Sequence, residues 1–83
     1  MSITILTIDD SDYMRDIISQ TLELKDYEVL QAVNGLEGLE KFKTNKIDLI
    51  ITDINMPGMD GLQFIKAARL INKEIPILVL TTE

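Results

Sequence analysis

The chain alternates short apolar runs with longer segments in which apolar and polar residues recur at helical spacing. Runs rich in Ile, Leu, Val and Thr are typical of strands that are covered on both faces of a sheet. They occupy residues 3–8, 27–32, 47–52 and 76–80. The resulting order, β-α-β-α-β-α-β, predicts an α/β fold with a doubly wound parallel sheet and helices on both faces.

Three helices are predicted between these strands. The first begins at the N-cap Ser11 and ends near Leu24, because Ser favours the cap position and an amphipathic pattern follows it. The second follows the Asn34-Gly35 turn, and the third follows the turn at residues 56–61. The residues that mark one face of each helix are Met14, Ile17, Ile18 and Leu22, then Leu36, Leu39 and Phe42, then Leu62, Ile65, Ala68 and Arg69.

Charge and composition exclude several classes of function and several kinds of metal site. The 83 residues include 8 Lys and Arg, 14 Asp and Glu, no His and no Cys, for a net charge of −6. Such an acidic chain lacks the cations that neutralise phosphates, so we expect no direct nucleic-acid binding. Without His or Cys, zinc fingers, haem ligation, disulfides and Ser-His or Cys-His catalysis are excluded. Any metal must be a hard cation bound by oxygen.

Targeting and membrane signals are not evident in the sequence. No apolar run approaches the roughly 20 residues that span a bilayer, and the first residues lack the basic region of a signal peptide. The absence of Cys fits a reducing compartment. We therefore expect a cytoplasmic protein without membrane partners.

Oxygen-bearing residues follow three of the four predicted strands, namely Asp9-Asp10, Asp53 and Thr81-Thr82. Open α/β sheets place their sites outside the carboxyl ends of the strands. If these ends meet, clustered carboxylates favour a divalent cation, Mg²⁺ or Mn²⁺ in its place. Such a site suits phosphoryl transfer, and an Asp carboxylate is itself able to be the nucleophile. Taken singly, each group has a plainer interpretation as a helix cap, a turn residue or an ordinary strand residue.

Together these motifs resemble a known family. An acidic pair after an apolar first strand, the stretch Asp-Ile-Asn-Met-Pro-Gly-Met-Asp-Gly at residues 53–61, and Thr81-Thr82 after the fourth strand are similar to the receiver domain of two-component response regulators. Within that family the chain most resembles the single-domain chemotaxis regulators of the CheY type. The resemblance implies strand order 2-1-3-4 and a chain, residues 1–83, that is the N-terminal two thirds of a receiver domain.

The resemblance also implies a role for each site residue. Asp53 matches the phosphoacceptor, which takes a phosphoryl group from a phosphohistidine of a sensor histidine kinase. Asp10 matches a direct Mg²⁺ ligand, and Asp9 the residue that holds metal-bound water. Asp53 and the backbone carbonyl of Asn55 match the other two protein ligands of the metal, and Thr81 matches the switch hydroxyl. The expected output is altered binding of a downstream protein such as a flagellar motor switch, rather than turnover of an external substrate.

The chain departs from the family pattern at its end. Receiver domains continue into a fifth strand with its flanking helices, and that strand ends in a lysine that pairs with the phosphoryl group. This chain stops at Glu83, before that lysine, so phosphorylation is expected to be impaired. A shortened chain, a record of only the ordered part and a natural half-domain are three interpretations of this ending. The edge of the fourth strand is then expected to promote self-association.

Alternative functions stay open at this point. The chain fits a phosphorylation-impaired binding module, and also the receiver domain of a larger transcriptional regulator. A phosphohydrolase with an aspartyl nucleophile is a further alternative, but it is expected to carry a second Asp two residues after the nucleophile. Asn55 stands there, which favours a phosphorylated state that persists as a signal.

Overall fold

A four-stranded parallel sheet organises the protein. The computed structural model describes residues 2–56 and 58–80. Strands and helices alternate in the predicted order, with bounds β1 Thr4–Ile8, α1 Asp12–Glu23, β2 Glu28–Ala32, α2 Gly35–Thr44, β3 Leu49–Asp53, α3 Gly61–Ile71 and β4 Ile77–Leu80. The predicted α/β class is therefore confirmed.

The strands lie in the order β2-β1-β3-β4 and every pair is parallel. Leu6 of β1 pairs with Ile50 of β3, which in turn pairs with Ile77 of β4. The order 2-1-3-4 is thus confirmed. Because all strands run the same way, the residues after β1 and β3 emerge side by side at one edge of the sheet.

The main core lies between one face of the sheet and helices α2 and α3. Leu6, Ile8 and Ile50 from the sheet belong to the same buried cluster as Phe42 and Phe64 from the helices. Helix α1 contacts β1 and β2 without joining that cluster, so it covers the opposite face. Coverage of both faces fits the burial of four of the five residues in each central strand.

Helix caps follow ordinary side-chain chemistry. Ser11 caps α1 as predicted, and its hydroxyl accepts a hydrogen bond from the amide of Met14 at 3.2 Å. Asn34, which is predicted to lie in a turn, also caps α2. Asp60 begins α3 with a reciprocal capping box that includes Gln63. These caps supply acceptors for backbone N–H groups that have no partner inside the helix.

The predicted helix faces need correction. Leu36 of α2 and Leu62 of α3 are 64% and 56% exposed. Phe42 and Ala68 are buried as predicted, whereas Gly38 of α2 and Phe64 of α3 are buried positions that the prediction left out. A Cβ atom at Gly38 would lie 2.5 Å from Cδ1 of Ile8. Small residues thus let the helices approach the sheet closely, and a search for large apolar residues overlooks such contact positions.

Helix α1 also buries residues that the apolar pattern does not single out. Its buried residues are Arg15 and Ser19, whereas Ile17 is 41% exposed. Among the residues that the structure describes, no helix has the length and apolar character needed to cross a membrane.

Candidate functional site

Three carboxylates meet at the carboxyl edge of the two central strands. Oxygen atoms of Asp9, Asp10 and Asp53 all lie within 4.8 Å of one another. Asp9 and Asp53 are only 3% and 2% exposed, whereas Asp10 is exposed. Asp53 is the last residue of β3, one position beyond the predicted end of the strand. The ends of β1 and β3 therefore converge as predicted, while Thr81 and Thr82, predicted to join them, lie outside the described residues.

Each buried carboxylate is oriented by its own loop. The amide of Ser11 donates to Oδ1 of Asp9 at 2.9 Å, and the amide of Asn55 donates to Oδ1 of Asp53 at 3.1 Å. In both cases the Asp side chain accepts from the backbone amide two residues later in the chain, which is a local turn that Asp forms readily. The side-chain directions are thus set within three residues of the strand ends.

The loop between β3 and α3 brings the start of the helix against Asp53. The amide of Gly61 donates to the carbonyl of Ile54 at 2.9 Å. A Cβ atom at Gly61 would lie 2.4 Å from the main-chain oxygen of Asp53. Only glycine fits this approach, so α3 begins in direct contact with the strand end that carries the acidic cluster.

Burial and charge raise the pKa of Asp9. Desolvation is the main cause, the Ser11 amide opposes it, and the nearby Asp53 and Asp10 charges add to the rise. Two carboxylates about 4 Å apart repel by roughly 4 kcal/mol at an effective dielectric of 20. A divalent cation relieves this repulsion, and a set of carboxylate oxygens suits Mg²⁺ or Mn²⁺. The donor set therefore fits such an ion.

The remaining predicted site residues are placed less fully. Asn55 follows β3 in the loop and its amide donates to Asp53, while the assignment of its carbonyl as a metal ligand stays a prediction. Thr81 and Thr82 lie outside the described residues. The role of Thr81 as a switch hydroxyl therefore also stays a prediction.

Arg15 is a site residue that the sequence analysis missed. Its Nη1 donates to the main-chain oxygen of Asp9 at 2.5 Å, and its Nε donates to Oε1 of Gln31 at 3.2 Å. Its Nη2 donates to a carboxylate oxygen of Asp12. A signal was present in the sequence, because Arg15 lies three residues before Ile18 and seven before Leu22, within the apolar stripe that α1 turns toward the sheet.

This parallel sheet, with its acidic edge between β1 and β3, places the chain in a defined class of signalling proteins. The chain belongs to the response regulator receiver domain family, whose model matches residues 5–83. It is 48% identical over 83 residues to chemotaxis protein CheY1 of Helicobacter pylori J99, covering 95% of this chain and 67% of the relative. It is thus a CheY-like receiver domain that acts in two-component signalling, and it spans about two thirds of that relative's length.

Solved structures agree with this assignment. Vibrio cholerae chemotaxis protein CheY4 matches with a TM-score of 0.96 and 44% identity, over 100% of this chain and 71% of that one. Thermotoga maritima regulator TrrA, solved in complex with Mg-BeF, matches with a TM-score of 0.93 and 37% identity over the same shares. The structure of TrrA in complex with histidine kinase ThkA matches with a TM-score of 0.90 and 38% identity. This match covers 99% of this chain and 70% of that one.

Proposed function

We propose that this protein is a Mg²⁺-dependent phosphoacceptor, which takes a phosphoryl group from a phosphohistidine of a histidine kinase onto Asp53. The observation that carries the proposal is the approach of three carboxylates to within 4.8 Å at the end of two buried strands. The complexes of TrrA with Mg-BeF and with ThkA support the metal and the kinase as partners.

Each residue has a separate part in the transfer. An oxygen of Asp53 bonds to phosphorus while the bond from phosphorus to the imidazole nitrogen breaks, and that nitrogen keeps the electron pair and takes a proton from solvent. Asp10, Asp53 and the Asn55 carbonyl would hold the metal directly, and Asp9 would hold it through a water. Bound Mg²⁺ supplies positive charge that neutralises the phosphoryl oxygens.

The phosphorylated state is proposed to switch partner binding, with the Thr81 hydroxyl as the responding group. Likeness to CheY1 and CheY4 supports chemotaxis as the setting and a flagellar motor switch protein as the target. Hydrolysis of the aspartyl phosphate is promoted by the same site. This step is slow, because Asn55 occupies the position where aspartyl phosphohydrolases are expected to carry a second Asp. The protein then acts cytoplasmically, as a signal rather than as a turnover enzyme.

Labelling with a small phosphodonor tests the phosphoacceptor. The purified protein is incubated with Mg²⁺ and acetyl phosphate, and intact mass spectrometry follows the gain of one phosphoryl group. We expect slow labelling that Asp53→Asn abolishes and that the exposed control Asp16→Asn retains. Labelling that is unchanged in Asp53→Asn, or no labelling of protein that binds Mg²⁺, refutes the assignment.

Self-association through the edge of β4 is a second candidate property, and one observation favours it. Leu78 and Val79 are 52% and 38% exposed, and within residues 2–56 and 58–80 strand β4 pairs with β3 alone. An apolar strand edge of this kind pairs readily with a second copy. Sedimentation is expected to show a dimer that Val79→Lys dissociates and that Leu70→Lys, a change at an exposed site on α3, leaves intact. A monomer at micromolar concentration contradicts this candidate.

A further inference from the structure

Arg15 joins three elements around the loop that carries the acidic pair. Arg15 lies in the first turn of α1, and its side chain is 9% exposed. One guanidinium group donates to the main-chain oxygen of Asp9, to the side-chain oxygen of Gln31 on β2, and to the carboxylate of Asp12 on its own helix. A buried guanidinium is costly unless such bonds satisfy it, so its position is closely defined.

The ion pair with Asp12 does not explain this burial. The Asp12 side chain is 87% exposed, and an ion pair with an exposed partner contributes little because water screens it. The other two acceptors are neutral oxygens. The hydrogen bonds to Asp9 and Gln31, rather than a buried counter-ion, therefore hold the Arg15 side chain in place.

These bonds fix the peptide that links Asp9 to Asp10. The amide of Asp9 donates to the carbonyl of Ala32 at 3.1 Å, and the carboxylate of Asp9 accepts from Ser11. The Asp9 carbonyl, which Arg15 engages at 2.5 Å, belongs to the same rigid plane as the amide of Asp10. Rotation of that plane would turn the Asp10 carboxylate relative to Asp53, and Arg15 opposes the rotation.

Gln31 in turn orients Arg15. Its side-chain oxygen accepts from Nε, while its main-chain oxygen accepts from the ammonium of Lys41 on α2. The next residue, Ala32, binds the Asp9 amide. The last two residues of β2 thus have separate roles. Ala32 binds the amide of Asp9, and Gln31 binds the arginine that holds the carbonyl of Asp9.

We propose that Arg15 is the positioning residue of the acidic cluster: it fixes the Asp9–Asp10 peptide so that Asp10 faces Asp53, with Gln31 as its orienting partner. The inference rests on the proposed function, because Mg²⁺ is the ion that the cluster binds. Lysine cannot replace arginine, since its single ammonium does not present a fork that reaches the Asp9 carbonyl and Gln31 together.

Mg²⁺ affinity measured by calorimetry is the main test. Arg15→Met keeps an unbranched side chain of similar length and removes the donors. We expect Mg²⁺ to bind about 10- to 100-fold more weakly, as is typical when a group that orients a metal ligand is lost. Arg15→Lys should give a similar loss, whereas the control Asp12→Asn should bind Mg²⁺ as the unmodified protein does. Rescue by lysine would show that charge suffices, and would overturn the positioning role.

A second measurement reports the peptide plane itself. The ¹⁵N chemical shift of the Asp10 amide responds to the hydrogen bond on the preceding carbonyl. It should move in Arg15→Met and Arg15→Lys but not in Asp12→Asn, all in metal-free protein. An unchanged shift in a folded Arg15→Met variant contradicts the proposal. Should that variant fail to fold, Gln31→Met tests the same arrangement, with a smaller loss of Mg²⁺ affinity expected and an unchanged affinity overturning it.

The two proposals fail in different ways. If the unmodified protein binds no Mg²⁺, the proposed function is wrong and the positioning role is overturned with it. If the unmodified protein binds Mg²⁺, Asp10→Asn abolishes binding and Arg15→Met binds within twofold of the unmodified protein, the proposed function stands and only the positioning role is overturned.

Discussion

Strands β1 and β4 have similar apolar sequences but very different surroundings. Ile5, Leu6 and Ile8 of β1 are at most 2% exposed, whereas Leu78 and Val79 of β4 are 52% and 38% exposed. Strand β1 pairs with β2 and β3, and in the described part of the chain β4 pairs only with β3. An apolar run therefore identifies a strand, but its place in the sheet decides how much of it is buried.

The same difference explains where the acidic cluster lies. Asp9 and Asp53 follow or end the two strands that have neighbours on both sides. Strands β1 and β3 each pair with two neighbours, so the carboxylates at their ends start from well-defined positions. A cluster built on the exposed strand would lack this support.

Truncation of one leucine in each strand should give the largest contrast. Leu6→Ala is expected to lower the free energy of unfolding by about 3 kcal/mol, because it removes a fully buried side chain and leaves a cavity. Leu78→Ala should cost less than about 1 kcal/mol, because half of that side chain is already in water. Urea denaturation measures both. Equal losses would show that β4 is as well covered as β1.

A glycine in α2 tests how tightly β1 is covered. Gly38→Ala should destabilise the protein by about 1–3 kcal/mol, because the added methyl group overlaps Cδ1 of Ile8. Ile8→Val removes that atom, so the double variant should lose less stability than the sum of the single changes. Additive losses in this double-mutant cycle would place the strain elsewhere.

A buried serine in α1 tests the opposite face of the sheet. Ser19 is 4% exposed, and its hydroxyl has no hydrogen-bond partner among the described residues. Ser19→Ala should therefore stabilise the protein by about 1 kcal/mol, by relieving a buried polar group. The exposed control Gln20→Ala should change stability by no more than about 0.5 kcal/mol, the effect of helix propensity alone. A loss of stability in Ser19→Ala would indicate a bound water or partner.

The smallest expected change concerns the pH dependence of metal-free protein. The pKa of Asp9 is raised above its ordinary value of 3.8, so the folded state holds this proton more strongly than the unfolded state. The stability that Asp9 contributes is therefore fully present below the ordinary pKa, where its side chain is protonated. That stability is lost as the pH rises through the pKa of Asp9 in the folded state. Asp9→Asn should therefore raise thermal stability at neutral pH and lose that advantage in acid. The opposite pattern would show that hydrogen bonding to the carboxylate outweighs its burial.

Element order and strand ends were predictable because they depend on local signals. Apolar runs, the Ser11 cap and acids after two strands are visible in the sequence. The glycine contacts of α2 and α3 were not, because Gly38 and Gly61 contribute by lacking a side chain. Arg15 was missed for another reason. Its partners are Asp9, which follows β1, and Gln31 on β2, and only the pairing of β1 with β2 brings them together.

The close approaches at the glycines limit how this protein can be engineered. Replacing helical glycine by alanine is a common route to higher thermal stability, because it restricts the unfolded chain. At Gly35, Gly38 and Gly61 the new Cβ would lie within 2.8 Å of another atom. Gains in thermal stability are therefore not expected at these three glycines, and exposed helix positions or the buried Ser19 are better places to seek them.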